Sequence, residues 1–315
     1  MRIMILIAIM MLLLTGDIWA EELGEGGVTL PILNYMAGTR AMGLGSAYTA
    51  LSDEITSLYW NPAGLGRLNK QQVYAMYEKL YESSTYWFGG YALPFYGIGV
   101  FGVGMIYLST GDIVGTGPLQ EDLGVYSDTQ SMVIISYGAP VNYLKKFSSR
   151  HLKFLDVGIS MKLIKHTMYT YSSYGIAFDI GAKYVPIKTS KIFKDFIFGL
   201  VVQNILPPSN KLGTEREWYP LKIKLGVCYR MLYDTLLINL DFSQILFREH
   251  SPELNIGLEY LFMNMFRIRT GYKEGVSAGL GMEIEDFSFD YALNYNFNLG
   301  LVHQFSASFR FGGVR

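Results

Sequence analysis

Residues 155–163 read LDVGISMKL and residues 174–184 read YGIAFDIGAKY. In the first stretch Leu155, Val157, Ile159, Met161 and Leu163 fall on one face, with Asp156, Gly158, Ser160 and Lys162 on the other. In the second, Tyr174, Ile176, Phe178, Ile180, Ala182 and Tyr184 oppose Gly175, Ala177, Asp179, Gly181 and Lys183. Side chains alternate between faces on a strand, whereas an amphipathic helix repeats near 3.6 residues. Both stretches therefore read as strands with one apolar face and one polar or small face.

The alternation continues to the far end of the chain, where Phe305, Ala307, Phe309 and Phe311 oppose Gln304, Ser306, Ser308 and Arg310. Strand-length pieces separated by turn signals fall at 72–79, 84–95, 97–109, 126–139, 153–168, 174–186, 194–205, 217–231, 235–244, 252–262, 265–273, 276–284, 286–296 and 301–312. The expected fold is all-β, a transmembrane antiparallel barrel of about 14 strands, because bacterial single-chain barrels hold even numbers. Parity puts both ends of such a barrel on the periplasmic side. The stretches 110–125 and 206–216, rich in glycine, proline or charge, are expected as outer loops.

Composition agrees. Half of the 315 residues are apolar, only 17% are charged, and aromatics reach 15% with 24 Tyr and 19 Phe. Mean hydropathy is +0.21. A soluble sandwich would not keep one face apolar along every strand with aromatics at its ends, and that pattern is the lipid band and girdle of a membrane barrel. The 26 basic and 27 acidic residues balance, which excludes the basic footprint of a nucleic-acid-binding protein. The single cysteine, Cys228, allows no intrachain disulfide, so barrel closure must supply the constraint.

Three segments follow. Residues 1–20 have the form of a signal peptide: Arg2, the apolar run Ile3–Leu14, and Ala20 before the cut. Residues 21–70 do not alternate and are expected as an N-terminal hatch, and residues 71–315 form the barrel. Within the hatch, Gly43 and Gly45 permit positive φ or close backbone approach, and Asn61-Pro62 is a helix start with Asn as cap. Its apolar residues, Met42, Leu44, Tyr48, Leu51, Leu58, Tyr59 and Trp60, need burial. The lumen beside the first four strands is the place for it, because Tyr86–Phe95 and Ile98–Leu108 are apolar or glycine on both faces. That inner wall is expected to meet the hatch, a hydrophobic ligand, or both. Gly99, Gly102 and Gly104 have two readings: a bend that opens a lateral exit into the membrane, or space for the hatch to pack.

The hatch stretch carries Gly38, Arg40, Ala41, Gly43, Gly45 and Ala47, then Asp53-Glu54, then Tyr59-Trp60 and Asn61-Pro62-Ala63. This combination resembles the start of FadL-like outer-membrane barrels, most closely the PorV/PorQ branch. The resemblance implies an outer-membrane, 14-stranded barrel with an N-terminal hatch; no nucleophile–base pairing is visible in the chain, so no enzymatic activity and no cofactor are expected. It implies one of two roles: a conduit or carrier for hydrophobic small molecules, or a scaffold that works with secretion-machinery proteins of type IX-type export. Outer-membrane lipid is the expected surrounding in either case.

Other signals carry less. Gly275-Val-Ser277-Ala-Gly279 matches a nucleophile elbow, but that motif needs strand–turn–helix and Ser277 lies in a strand pattern. Gly97-Ile-Gly99-Val-Phe-Gly102 matches a dinucleotide fingerprint with no helix after it. His151, His166, His250 and His303 show no metal-ligand spacing. The inward charges, among them Asp156, Lys162, Asp179, Lys183, Asp241, Glu259 and Arg269, are of mixed sign and are expected to neutralise one another across strands rather than line an ion path.

Overall fold

A computed structural model describes residues 31–313, apart from 82–83, 117–121, 144–151, 187–194, 206–208, 213–214, 219–220, 247–250 and 298–299. The expected signal peptide lies outside the described residues.

Sixteen strands are described: β1 Lys70–Lys79, β2 Ser84–Phe95, β3 Gly99–Thr116, β4 Asp122–Pro140, β5 Leu155–Met168, β6 Tyr171–Tyr184, β7 Phe196–Ile205, β8 Ser209–Leu212, β9 Glu215–Trp218, β10 Lys222–Met231, β11 Leu236–Ile245, β12 Glu253–Phe262, β13 Phe266–Tyr272, β14 Gly275–Ile284, β15 Phe287–Asn296 and β16 Gly300–Gly313. Fourteen of them close an antiparallel barrel in which each strand pairs with its neighbours in sequence and β16 returns to β1. β8 and β9 form a separate hairpin between β7 and β10. Closure leaves no open edge, so every barrel strand satisfies its backbone on both sides.

The alternation fixes which face meets lipid. Ile159, Ile176 and Ile180 are exposed on the outside, while Asp156, Ser160, Asp179 and Lys183 are buried inside. At Leu163, Tyr174, Leu240, Ile256, Ile268, Leu280 and Phe305 the outer surface is likewise large and apolar. A belt of this kind is stable only against hydrocarbon, which makes the protein an outer-membrane barrel. The turns β2–β3, β10–β11, β12–β13 and β14–β15 are short and lie at the end where β1 begins and β16 finishes. Leu232, Tyr233, Asp234, Met263, Asn264 and Glu285 take positive φ in three of them, as tight hairpins with matching twist require.

Two expected outer loops differ from the sequence reading. β3 and β4 pair as far as Thr116↔Asp122, so most of 110–125 is strand rather than loop. The stretch 206–216 contains the β8–β9 hairpin. Polar and glycine-rich residues pair well once strands run past the membrane, where no lipid face demands an apolar pattern.

The lumen holds the hatch, described from a 3-10 turn at Pro31–Leu33 through two short helices, α1 Thr39–Gly43 and α2 Ser57–Trp60, to a 3-10 helix at Pro62–Arg67 that leads into β1. The largest fully buried side chains include Tyr48, Ile32, Met42, Leu44, Ile55, Leu58 and Leu65 from the hatch and Tyr86, Phe88 and Ile106 from the wall. The hydrophobic core therefore sits inside the barrel, between hatch and strands.

Candidate functional site: the hatch and its seat

The hatch passes the wall at close range because one row of the lumen lacks side chains. Gly138, Gly158 and Gly181 are register partners on β4, β5 and β6, and they face Asn61 and Pro62. Gly199 and Gly226, partners on β7 and β10, face Thr49 and Ala50. Gly257 and Gly271, partners on β12 and β13, face Leu44 and Gly45. A Cβ at Gly199 would lie 2.5 Å from Thr49 O, and one at Gly257 would lie 2.5 Å from Leu44 O. Real carbon and oxygen atoms do not approach so closely, so this glycine belt is what admits the hatch backbone. The sequence reading placed Gly158 and Gly181 on the inward face of their strands, and register brings the others to the same level.

On one side the wall is apolar. Tyr86 and Phe88 of β2, Ile106 and Leu108 of β3, and Met132 and Ile134 of β4 are buried inward, and the hatch packs Leu58 and Leu65 beside β3. Gly102 and Gly104 are the seats of Leu58: an added Cβ would lie 2.6 and 2.9 Å from its methyl carbons. Gly99 has φ +140, which favours glycine. Gly102 and Gly104 pair without interruption with both β2 and β4, and Gly99 pairs with Phe95 of β2 at the start of the strand. The register shifts in β3 lie further along, between Thr110 and Ile113 and between Gly115 and Thr116.

Around the rest of the wall, and at Gln130 of β4, polar side chains grip the hatch by its backbone. Asp241 of β11 accepts from the N–H groups of Tyr48 and Thr49 at 2.9 and 2.7 Å. Lys183 of β6 donates to the carbonyls of Leu51 and Ser52. Gln203 of β7 donates to Tyr59 O at 2.7 Å. Gln72 of β1 accepts from Ile55 N at 3.0 Å, Gln130 of β4 from Ile32 N at 3.1 Å, and Gln304 of β16 donates to Met36 O at 3.0 Å. An irregular segment in a membrane protein must find partners for its own N–H and C=O groups, and these side chains supply them.

Arg40 is the main charged tie. Its guanidinium holds Glu259 of β12 through Nε and Nη2 at 2.8 and 2.7 Å and Asp53 through Nη1 at 2.6 Å. Burial alone would lower the Arg40 pKa, but the Asp53 and Glu259 carboxylates overcome it and hold it well raised. Glu259 also receives Arg269 at 2.6 Å, and Arg269 reaches Asp290 at 2.5 Å. Lys162 and Asp179 pair at 2.6 Å, both nearly inaccessible. The expected neutralisation across strands is present in these last pairs. The ties of Asp241, Lys183 and Glu259 to the hatch are a further use of inward charge that strand alternation alone does not reveal.

The residues of the hatch motif each have a place. Gly38 has φ +107 and Gly45 φ +58. Gly43 approaches Gly279 of β14, where an added Cβ would lie 3.2 Å from its Cα. Asp53 accepts from Arg40 and from Tyr48 Oη. Trp60 donates from Nε1 to Ala37 O. Asn61 caps the Pro62–Arg67 turn by accepting from Ala63 N at 3.2 Å and donates to Thr49 O and, across to β6, Ala182 O. Pro62 stands at the first position of that turn. Among the described residues no group of His, Cys, Asp and Glu is arranged to hold a metal.

Fold and site together define a 14-stranded outer-membrane barrel whose lumen is occupied by an N-terminal hatch. Solved structures share that fold. A CymD monoaromatic hydrocarbon channel superposes with TM-score 0.64 at 11% identity, covering 92% of this chain and 100% of its own. A TodX monoaromatic hydrocarbon channel deletion mutant gives 0.59 at 13%, covering 88% and 99%. A FadL homologue of Pseudomonas aeruginosa gives 0.53 at 10%, covering 88% and 98%. No family model matches the sequence, and no curated protein matches it either.

Proposed function

We propose that the protein is a FadL-like conduit or carrier for hydrophobic compounds. The observation that carries this reading is the apolar inner wall of β2, β3 and β4, built from Tyr86, Phe88, Ile106, Leu108, Met132 and Ile134. A water-filled polar pore has no use for such a wall, whereas a greasy solute loses least by moving along it. The solved channels of like fold are named for monoaromatic hydrocarbons, which agrees with this chemistry. The proposal includes a lateral exit past Gly99, Gly102 and Gly104, with a stated requirement: Leu58 must withdraw and the β3 ladder must part, because pairing there is continuous.

The test is mass spectrometry of small molecules that copurify in mild detergent, together with uptake of a radiolabelled aromatic hydrocarbon into cells with and without the protein. Copurified apolar compounds and faster uptake support the reading, and Ile106→Asp should remove both. The alternative is a PorV/PorQ-like scaffold for type IX-type secretion and surface attachment. The hatch pinned around the whole lumen suits a scaffold, which needs no open path. Copurification of exported proteins, with uptake unchanged by the barrel, would favour it and sink the conduit.

A further inference from the structure

The outer face carries a groove that crosses six strands, from β13 through β14, β15, β16 and β1 to β2. Two neighbouring rows of register partners border it. One row runs Phe266, Met282, Phe289, Ala307 and Ala75, and the other Ile268, Leu280, Tyr291, Phe305, Tyr77 and Trp87. At the seam where the barrel closes, the first row drops to the methyl groups of Ala307 and Ala75, both exposed, and Gly89 of β2 continues it without a side chain. The facing row is an aromatic wall there. The ring centroids of Tyr291 and Phe305 lie 4.9 Å apart and those of Tyr77 and Trp87 4.4 Å. The cavity between the rows measures about 670 Å³.

The groove climbs as it crosses. Phe266 opens β13 directly after the β12–β13 turn, whereas Trp87 stands well inside β2, far from its end at Phe95 on the same rim. Strands lie about 4.8 Å apart, so the groove is roughly 24 Å long. Strands of such barrels tilt about 40° from the membrane normal, and a line across them then rises about 15 Å. That is about half of the 30 Å hydrocarbon core, the depth of one leaflet. The groove is continuous with the belt that meets hydrocarbon, so its occupant is apolar and comes from the membrane. Outward side chains on one strand are about 7 Å apart, which admits a single extended chain, whereas a helix about 10 Å across would ride on Trp87 and Phe289 without entering. A lipid tail gains no hydrophobic free energy by leaving other tails, so dispersion contact must hold it. A groove touches it on three sides where a flat wall touches one.

We propose that this groove is a lipid site, holding one acyl chain of a phospholipid from the leaflet on the side where β1 begins. By strand parity that leaflet is the periplasmic one. The chain enters beside Phe266, lies across the strands and ends over Ala307 and Ala75 against Tyr77 and Trp87. It thereby covers the seam at which β16 returns to β1. The assignment stands apart from both readings of the lumen, because it concerns the outer face alone.

The test uses the full barrel, extracted from membranes in mild detergent and washed until free lipid is gone. Native mass spectrometry should show a species heavier by one phospholipid. Ala75→Phe combined with Ala307→Phe fills the groove from the lipid side, where there is no core to overpack. That variant should lose the heavier species while its heat-modifiable band shift still reports a closed barrel. Ile180→Phe, on the outer face of β6, should keep it. Should the double variant fail to fold, Ala75→Leu alone should lower the retained fraction. A barrel that carries no phospholipid, lipid that survives filling of the groove, or lipopolysaccharide in its place would overturn the proposal. So would a dimer of barrels that the filled groove dissociates.

Discussion

The two arcs of the inner wall hold the same hatch by different physics. The β2–β4 arc offers Phe88, Ile106 and Ile134 and takes the hatch side chains Leu58 and Leu65. The arc from β10 to β14 offers Asp241, Glu259 and Arg269 and takes the hatch backbone and Arg40. Apolar packing is non-directional and yields gradually to a competing apolar solute, whereas paired charges and hydrogen bonds fix one position and fail abruptly when a partner is removed. The apolar arc is thus the side on which something greasy can displace a contact without leaving a charge unpaired. The polar arc is the side whose contacts fix the hatch in one position.

The largest effect that tests this contrast is expected at Glu259→Gln. The change leaves Arg40 and Arg269 without the carboxylate they share, and breaking a buried ion pair from one side costs about 3–5 kcal/mol. Urea unfolding in detergent, followed by the heat-modifiable band shift, measures it. A loss below about 1 kcal/mol, the range of exposed pairs, would mean that the polar arc does not hold the hatch. On the apolar arc, Leu58→Ala should cost about 2–5 kcal/mol, with a larger loss the more rigidly Gly102 and Gly104 keep the cavity open. Uptake of an aromatic hydrocarbon should rise in this variant and fall or stay level in Glu259→Gln. The opposite pattern would reverse the roles of the two arcs.

The outer face sharpens the same comparison. Ile180 is exposed to lipid on β6, and Ile180→Arg should destabilise the barrel by about 2–4 kcal/mol near the membrane midplane. Strand alternation alone makes the neighbouring Asp179→Asn look mild, as a polar change on a polar face. The structure pairs Asp179 with buried Lys162 and lets it accept from Asn204 N at 2.9 Å, so the loss should approach that of Ile180→Arg. A refolding titration of both variants checks it, and a cost for Asp179→Asn near zero would remove the pair from the account.

Much of this was readable in the chain. A period of two names both faces of a strand at once, so Ile180 outward and Asp179 inward follow from the sequence, and so do the strand number and the need to bury Leu58, Tyr59 and Trp60. Contacts between segments far apart in sequence were not readable. Arg40 and Glu259 are 219 positions apart, and nothing local to Glu259 distinguishes it from an inward charge that neutralises its neighbour on β13. The glycines lay between these limits. Gly158 and Gly181 stand out as small inward residues, but their shared level appears only once β5 and β6 are in register. Gly102 and Gly104 admitted two readings because a missing side chain looks the same whether it lets a strand bend or lets Leu58 in.

The smallest expected effect lies outside both arcs. Lys70 of β1 and Asp286 of the β14–β15 turn pair at 2.5 Å, with side chains 43% and 41% exposed at the rim where β1 begins. Like Arg40 with Glu259 it joins a cation to a carboxylate, here through one ammonium contact and at a shorter separation, but water solvates both partners when the contact is broken. Exposed pairs are typically worth about 0.2–1 kcal/mol, and salt screens them further. A double-mutant cycle with Lys70→Met and Asp286→Asn should therefore give a coupling in that range, falling toward zero as salt is raised. The corresponding cycle with Arg40→Met and Glu259→Gln should stay large and nearly independent of salt, because the lumen shields it. A coupling above about 2 kcal/mol for the rim pair would show that distance, and not seclusion in the lumen, sets the strength of these ties. The distinction between a hatch fastened on its polar side and a merely neutral rim would then fail.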